Sequence, residues 1–410
     1  METPRENGDK PTVEIRGPAC YENWKAALAG RAFPGAYEVP LYTDAYITGE
    51  LEEGYGPYRL INVGAPLRRG LARPAIVLRA EAQVIFDTNE MLRQLDGLPR
   101  GTKSKRNHGG GPDDEVTALF SLSLGIRLKP GDRLREFVPD GDPKGRPLPG
   151  LRGEPVLLRN AGRPVIPRAV RKQSLNDDVL VECLPLLDPD DAFAVVRAAR
   201  LYQDALWIAE SEPALAWLMF VSAVETAANH WRSTKDPPRS RLRASNPELE
   251  KLLLKVGGEE HGDKVAKMIV GFLGSTKKFV DFVLEFRPEP PDQRPSEWAR
   301  APWDPTGIRK SMRVIYEHRS RALHDGTPFP APMCEPPWIG EGMPAPVECP
   351  RGVMLPTLGV KWDDDDVPMC LHTFEYIVQG ALCKWWESMV KERDTAEGPS
   401  TLLRMNACAT

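Results

Sequence analysis

The hydrophobic pattern of this chain changes near Asp188, and the change separates two regions whose patterns predict different secondary structure. Before it, short runs rich in β-branched and aromatic residues alternate with Gly, Pro and Asn, which is typical of strands. After Asp188-Pro-Asp-Asp191, apolar residues recur at helical spacing over long stretches. We therefore predict an α+β chain of two domains, with a loose tail over 1–14, a strand-rich mixed domain over 15–187 and an all-helical domain over 188–410.

Local signals place the individual elements. In the first region, strands are predicted over 58–63, 75–78, 83–86, 155–158 and 179–184, with helices over 20–29 and 114–124. In the second region, prolines open two long helices at 189 and 213. Further helices are predicted over 247–255, 263–273, 275–286 and 306–324, and over 368–390. Prolines, 41 among 410 residues, predict long irregular connections over 138–168, 286–305 and 328–356.

Composition narrows the possible function classes. The formal net charge of −4 leaves no overall basic surface, so any contact with nucleic acid must come from a local patch. No apolar run approaches the ~18–20 residues that span a bilayer, and the polar N-terminus does not resemble a signal peptide. Seven scattered cysteines without a CxxC pair favour reduced thiols over disulfides or a zinc site. We therefore expect a cytoplasmic protein that does not associate with membranes.

The segment Tyr316–Gly326 carries the strongest chemical signal, because Arg319 and His324 lie five positions apart near the end of a predicted helix. Arginine binds phosphate oxygens, and histidine exchanges protons near neutral pH. On a straight helix the two residues are about 7.5 Å apart along the axis and about 140° apart around it. They converge only if the arginine bends round or the helix loosens. Arg321, three residues before His324, shares its face and is a second candidate phosphate ligand.

Other residues could assist this pair. Glu225 lies in a strongly apolar helical stretch, where a carboxylate requires a partner. A basic residue of the motif helix is the natural partner, although a structural ion pair is an equally simple explanation. Tyr316 and Ser320 are the other polar candidates beside the pair. Basic residues that could contact RNA, or could be solvated surface charges, are Arg232, Lys235, Arg239 and Arg241 together with Arg309 and Arg313.

Arginine, four residues, then histidine and Asp-Gly at the end of a basic helix resembles the signature of HEPN domains, especially the Apea-like HEPN group. The resemblance covers roughly the second half of the chain, with a helical pair around 201–231 and a helix around 368–390. Many family members carry a polar residue, often Asn, after the arginine, and here it is Ser320. The resemblance implies an all-α bundle, a homodimer or higher oligomer with a composite site, and metal-independent RNA cleavage that needs no cofactor.

The products implied by this resemblance are 2′,3′-cyclic phosphate and 5′-hydroxyl ends, made with Arg319 and His324 as catalytic residues. Family members often act as toxins or abortive-infection effectors, which implies RNA, including tRNA, as substrate and a phage-derived trigger or a cognate inhibitor as partner. The N-terminal domain would then sense the trigger or restrain the nuclease. The main alternative is a catalytically inactive HEPN module that binds a nucleotide, RNA or a protein. An N-terminal enzyme attached to a helical domain has no motif to support it.

Overall fold

A small antiparallel sheet and its flanking helices form the first part of the structure, and long helices form the second. The computed structural model describes residues 16–31, 35–63, 72–82, 110–139, 141–150, 153–158, 162–178, 180–231, 237–269, 274–350 and 360–397. Within these ranges the chain is a mixed α+β protein, as predicted. No helix among these residues has the length and apolar character needed to cross a membrane.

The main sheet is built around one long central strand, β1, which pairs with antiparallel neighbours on both sides. The strand order is β3-β4-β1-β6-β7, with β5 also paired to β1, and a separate parallel pair joins β2 to β8. Val39 and Leu78 lie opposite each other across β1 and β4, and both are fully buried. The strands are β1 (Gly35–Thr43), β2 (Tyr46–Thr48), β3 (Tyr58–Asn62), β4 (Arg73–Ala82), β5 (Lys129–Pro130), β6 (Arg135–Phe137), β7 (Arg146–Pro147) and β8 (Lys172–Ser174).

Two helices pack in this region, α1 (Ala19–Leu28) and α2 (Pro112–Leu124). The start of α2 is stabilised because the Asp114 carboxylate accepts a hydrogen bond from the backbone N–H of Gly111 at 3.0 Å. Its end falls at Gly125, whose φ of +65° is a left-handed conformation that suits glycine. Both helices were predicted from sequence, and both are confirmed.

The second part contains the helices that the proline and periodicity signals predicted, together with two short ones, over 238–245 and 331–334, that they did not. They are α3 (Pro189–Ile208), α4 (Pro213–Trp231), α5 (Pro238–Ser245), α6 (Pro247–Ile269), α7 (Ser275–Phe286), α8 (Pro305–His324), α9 (Ala331–Cys334) and α10 (Leu371–Glu397). The two helices predicted over 247–255 and 263–273 fall within α6, whose backbone is non-helical at Gly258, so that two helical segments meet there at a kink; residues 270–273 lie outside the described residues. The long helices pack through Trp217, Phe220 and Phe374, whose rings contact one another in the core.

Two strand predictions are wrong. Residues 155–158 form no ladder, and residues 181–184 of the run predicted as a strand over 179–184 lie instead in a 3₁₀ helix, Val181–Leu186. In both cases β-branched and leucine residues were interpreted as strand formers. In the second case Pro185 also removes a backbone donor that a ladder would need. The predicted strands over 58–63 and 75–78 are confirmed as β3 and as part of β4, and the one over 83–86 lies outside the described residues.

The hydrophobic core continues across residue 188. Leu184 and Leu187 before the change and Val196 and Tyr202 after it belong to one buried cluster that extends to Trp386 on α10. Polar contacts also cross it, because Gln379 on α10 donates to the backbone carbonyls of Leu122 and Ser123 at 3.0 and 3.1 Å. The division of the chain into domains at this point remains a prediction.

Candidate active site at the end of helix α8

Helix α8 is built to present its last two turns at one edge of the helical bundle. The Asp304 side chain caps its start by accepting hydrogen bonds from the N–H groups of Thr306 and Gly307, both at 3.0 Å. Ile308, Met312 and Ile315 fix the helix in the core and are fully buried. The helix ends at His324, as the sequence predicted, with Gly326 at a φ of +67° just beyond it.

Arg319 is paired with one carboxylate at this edge, and a phenol orients that carboxylate. Its Nη2 lies 2.7 Å from Oε2 of Glu225 on α4, and the Tyr316 hydroxyl donates to Oε1 of the same carboxylate at 2.7 Å. The side chains of Arg319 and Glu225 are 21% and 17% exposed, so solvent reaches the pair. The Nε of Arg319 is buried and has no hydrogen-bond partner among the residues that the structure describes. The carboxylate therefore uses one part of the guanidinium and leaves donors unused.

Tyr316 serves this cluster as a neutral hydrogen-bond donor. Burial, and then the adjacent Glu225 carboxylate, raise the pKa of Tyr316 to about 12, although Arg319 acts in the opposite direction. A phenol with this pKa keeps its proton throughout the physiological range. Tyr316 therefore orients Glu225 and is not suited to act as a general base.

His324 lies apart from this cluster. Its side chain is exposed, and within the described part of the chain no residue forms a hydrogen bond or ion pair with it. Because α8 stays helical up to His324, the histidine lies about 140° around the helix from Arg319. Neither condition for their convergence within one chain is met, since the helix does not loosen and Arg319 bends towards Glu225.

The other predicted supporting residues are arranged as follows. Arg321 is exposed and lies 3.6 Å from Glu317 in an i,i+4 pair, so it stays near His324 and away from Arg319. Ser320 is half-buried. The structure thus brings together Arg319, Glu225 and Tyr316, and leaves His324 and Arg321 as a second, exposed group.

Neighbours of this site were not identified from the sequence. Asn229 is one helical turn after Glu225 on α4, and its side chain accepts a hydrogen bond from Lys278 of α7 at 3.1 Å. The ring of Phe279, also on α7, lies 5.3 Å from the ring of Tyr316. The i,i+4 spacing of Glu225 and Asn229 was the available signal, but only the packing of α7 against α4 and α8 shows that Lys278 is close.

Three other histidines of the helical part have structural partners. His318 on α8 donates to the backbone carbonyl of Asp366 at 2.7 Å, and burial lowers its pKa. His372 donates to the carbonyl of Val347 at 2.8 Å, and burial lowers its pKa as well. His230 lies 2.6 Å from Asp191. His324 shares its exposure with His261 on α6, so its position on the helix of Arg319, and not exposure alone, makes it the candidate.

Much of the predicted basic surface is paired with carboxylates. Arg239 lies within 3.3 to 3.6 Å of Glu250, Glu259 and Asp263 on α6, and Arg309 is 3.7 Å from Asp281. Arg313 is exposed on α8. Arg232 and Lys235 lie outside the described residues, as does the side chain of Arg241. Among the basic candidates with described side chains, Arg313 is the one for which no ion pair is observed.

Comparison with known proteins identifies no relative. No protein-family model matches the chain, and neither a curated protein nor a solved structure matches it significantly. Among the described residues, no group of three or more His, Cys, Asp or Glu side chains is arranged to hold a metal ion. Function is therefore inferred from the geometry at the end of α8.

Proposed function

We propose that this protein is a HEPN-type endoribonuclease that cleaves RNA without a metal and acts in the cytoplasm. The observation that supports the proposal best is the guanidinium of Arg319, paired with Glu225, whose carboxylate Tyr316 orients, at a helix end that also presents the exposed His324. A fixed cation and a free imidazole near one edge are the two groups that transesterification of RNA requires.

The reaction uses the ribose 2′-hydroxyl as nucleophile. A histidine takes the 2′ proton as the 2′ oxygen bonds to phosphorus, and the bond from phosphorus to the 5′ oxygen breaks. The departing 5′ oxygen receives a proton, which gives a 2′,3′-cyclic phosphate and a 5′-hydroxyl. The guanidinium of Arg319 offsets the negative charge that develops on the phosphorane oxygens. The part of the guanidinium that water reaches and that Glu225 does not engage is the group available for those oxygens, whereas the buried Nε is not.

A second copy of the chain would complete the site. One histidine cannot act as base and acid in a single step, and His324 faces away from Arg319 in its own chain. Two copies meeting at the ends of their α8 helices would supply two histidines to one RNA strand. Leu323, which is 53% exposed on the last turn of α8, offers apolar surface for such a contact.

The second candidate is a catalytically inactive HEPN module that binds RNA, a nucleotide or a protein. The ion pair itself favours this candidate, because Glu225 already neutralises Arg319. A binding module needs the fold and the pair but no free histidine. The two candidates therefore differ in what His324 does.

The biological role follows by analogy from the same resemblance. We propose a toxin or abortive-infection effector that acts on cellular RNA, tRNA included, when a phage-derived trigger arrives or a cognate inhibitor is lost. The strand-rich first part would sense the trigger or restrain the nuclease. Since it shares a core with the helices, a change there could reach α8 through packed elements.

The decisive experiment is RNA cleavage by the full chain in EDTA, on total RNA and on tRNA. We expect cyclic-phosphate ends from the wild type and a loss of at least about 100-fold in His324→Ala and Arg319→Ala. His261→Ala, an exposed histidine on α6, and Arg59→Ala, an exposed arginine on β3 that pairs with Glu81, are the matched controls and should cleave normally.

Each result discriminates between the two candidates. Cleavage that survives His324→Ala would overturn the proposed site. Tight RNA binding by wild type and His324→Ala alike, without cleavage at any protein concentration or after addition of phage lysate, would favour the binding module. Specific activity that rises with protein concentration, in step with dimer formation in sedimentation, would support the composite site.

A further inference from the structure

Two tryptophans lie side by side on the surface, on the connections that precede and follow helix α8. Trp298 is 50% exposed and Trp338 is 44% exposed, and their ring centroids are 6.3 Å apart. Ile339, next to Trp338, is 47% exposed. Single exposed apolar residues are common, but two adjacent indoles expose a large aromatic area to water. We call Trp298, Trp338 and Ile339 the tryptophan surface.

The backbone beneath this surface is fixed. The carbonyl of Ala299 accepts hydrogen bonds from the N–H groups of Glu348 and Cys349, and the carbonyl of Trp338 accepts one from Val347 at 2.9 Å. Ala299, Val347 and Cys370 form a small buried cluster of their own. The two indoles are thus carried by two proline-rich connections that are tied together. A fixed display of this kind reduces the conformational entropy that this surface itself would lose on binding a partner.

Acidic side chains border the tryptophan surface. Glu297 directly precedes Trp298, and Glu335 and Glu341 lie three residues before and after Trp338. All three are exposed, and no ion pair is observed for any of them within the described residues.

The same connections carry few cations. Residues 291–300 and 331–350 contain only two basic residues, Arg294 and Arg300. Arg294 forms an ion pair with the buried Glu348, and the Nε of Arg300 donates to the carbonyl of Pro295 at 2.8 Å. The local surface is therefore aromatic and negatively charged.

We propose that the tryptophan surface docks an arginine- or lysine-rich segment of another protein. A guanidinium or ammonium group is attracted to the face of an indole, and tryptophan is the best aromatic partner for it. The three glutamates attract the same cations and steer their approach. This charge opposes the phosphates of RNA, so the surface is unsuited to the proposed substrate. A neutral proline-rich peptide would explain the tryptophans but gives no role to the glutamates.

Fluorescence anisotropy of the full chain with a labelled peptide of alternating arginine and serine tests the proposal. The comparison probes are an alternating glutamate and serine peptide, a proline-rich neutral peptide and a single-stranded RNA. We expect the arginine peptide to bind tightest, and its affinity to fall when ionic strength rises from about 0.05 M to about 0.5 M. Trp298→Ala and Trp338→Ala should each weaken it about five- to tenfold.

Further variants keep the test valid if a tryptophan variant folds poorly. The double variant Glu297→Gln and Glu341→Gln preserves shape and should weaken arginine-peptide binding without affecting the neutral peptide. Tyr46→Ala, an exposed aromatic residue on β2, and Glu212→Gln, an exposed carboxylate before α4, are the controls and should bind as the wild type does.

Three results would overturn the proposal. The first is equal binding of the arginine and glutamate peptides. The second is tighter binding of the proline-rich or RNA probe that depends on the tryptophans. The third is arginine-peptide binding that is unchanged in the Trp298→Ala and Trp338→Ala variants. RNA cleavage is not part of the measurement, so the outcome is independent of the nuclease proposal.

Discussion

Two arginine–carboxylate clusters in this protein have the same chemistry and opposite surroundings. In the first, Arg127 lies 2.8 Å from Asp44, also binds Glu210, and donates to the carbonyl of Leu206 at 3.0 Å. All three charged side chains are almost completely inaccessible to solvent. In the second, Arg319 and Glu225 remain partly exposed at the edge of the bundle. The first cluster joins the strand-rich part to α3, whereas the second joins two neighbouring helices.

The difference shows which cluster is structural and which is available for binding. Arg127 has partners for each side of its guanidinium and no route for a ligand, so its role is to hold parts of the chain together. Arg319 has one carboxylate partner and access to water. A partly exposed ion pair contributes little stability, so only a small structural contribution is expected from this pair.

The largest expected effect comes from removing the buried cation. Arg127→Met leaves Asp44 and Glu210 buried without their partner, and breaking a buried pair in this way costs about 3–5 kcal/mol. Arg319→Met should cost no more than about 1 kcal/mol, because water can solvate Glu225. Urea unfolding followed by circular dichroism gives both values. Equal losses of unfolding free energy in Arg127→Met and Arg319→Met would contradict the prediction that the buried cluster contributes more stability than the partly exposed one.

Asp178 is a buried carboxylate for which no arginine partner is observed in the described residues, and it can be compared with the carboxylates of the two arginine clusters. Asp178 is 3% exposed, and its Oδ1 accepts a hydrogen bond from the Ser123 hydroxyl. Burial raises the pKa of Asp178 to about 6, despite hydrogen bonds from Ser123 and from the backbone of Val181 and Leu180 that favour the charged form. In the folded state the proton is therefore bound more tightly than in the unfolded chain, where the pKa is near 3.8.

The sign of the resulting pH dependence follows directly. The contribution of Asp178 to stability is fully present below about pH 4 and is lost as pH rises through about 6. Asp178→Asn removes this titration. The free energy of unfolding of the wild type, relative to that of Asp178→Asn, should fall by about 2–3 kcal/mol between pH 4 and pH 8. Asp142→Asn, at an exposed loop aspartate, is the control. A constant difference between wild type and Asp178→Asn across this range would contradict the prediction.

The sequence predicted local features well, because they depend on neighbouring residues. Pro189, Pro213 and Asp304 mark the helix starts, and Gly125 and Gly326 lie just beyond the ends of α2 and α8. Helical spacing of apolar residues gave the buried face of α8. The prediction that Glu225 pairs with a basic residue of that helix is also confirmed, because a carboxylate in an apolar stretch has few other solutions.

Features that depend on distant residues were not predictable. Arg127 is an ordinary basic residue in the sequence, and its burial follows from partners 83 positions away in each direction. The run over 179–184 has the composition of a strand, but its residues 181–184 lie in a 3₁₀ helix. The pairing of Arg239 with three acidic residues of α6 likewise appears only when the chain is folded.

The smallest expected effect on stability, and the most informative for function, is at Glu225. Glu225→Gln keeps the shape but removes the charge that fixes Arg319, and Tyr316→Phe removes one hydrogen bond to the carboxylate. Each should change the free energy of unfolding by about 1 kcal/mol or less.

For the proposed nuclease activity, cleavage should fall about tenfold in Glu225→Gln and less than about fivefold in Tyr316→Phe, because a charged partner holds the guanidinium more strongly than the phenol orients the carboxylate. Thr226→Val, at the adjacent position on α4, is the control for changes in this part of the helix. Faster cleavage in Glu225→Gln would mean that the carboxylate restrains Arg319 and does not position it. The partly exposed cluster would then inhibit the activity that we propose it supports.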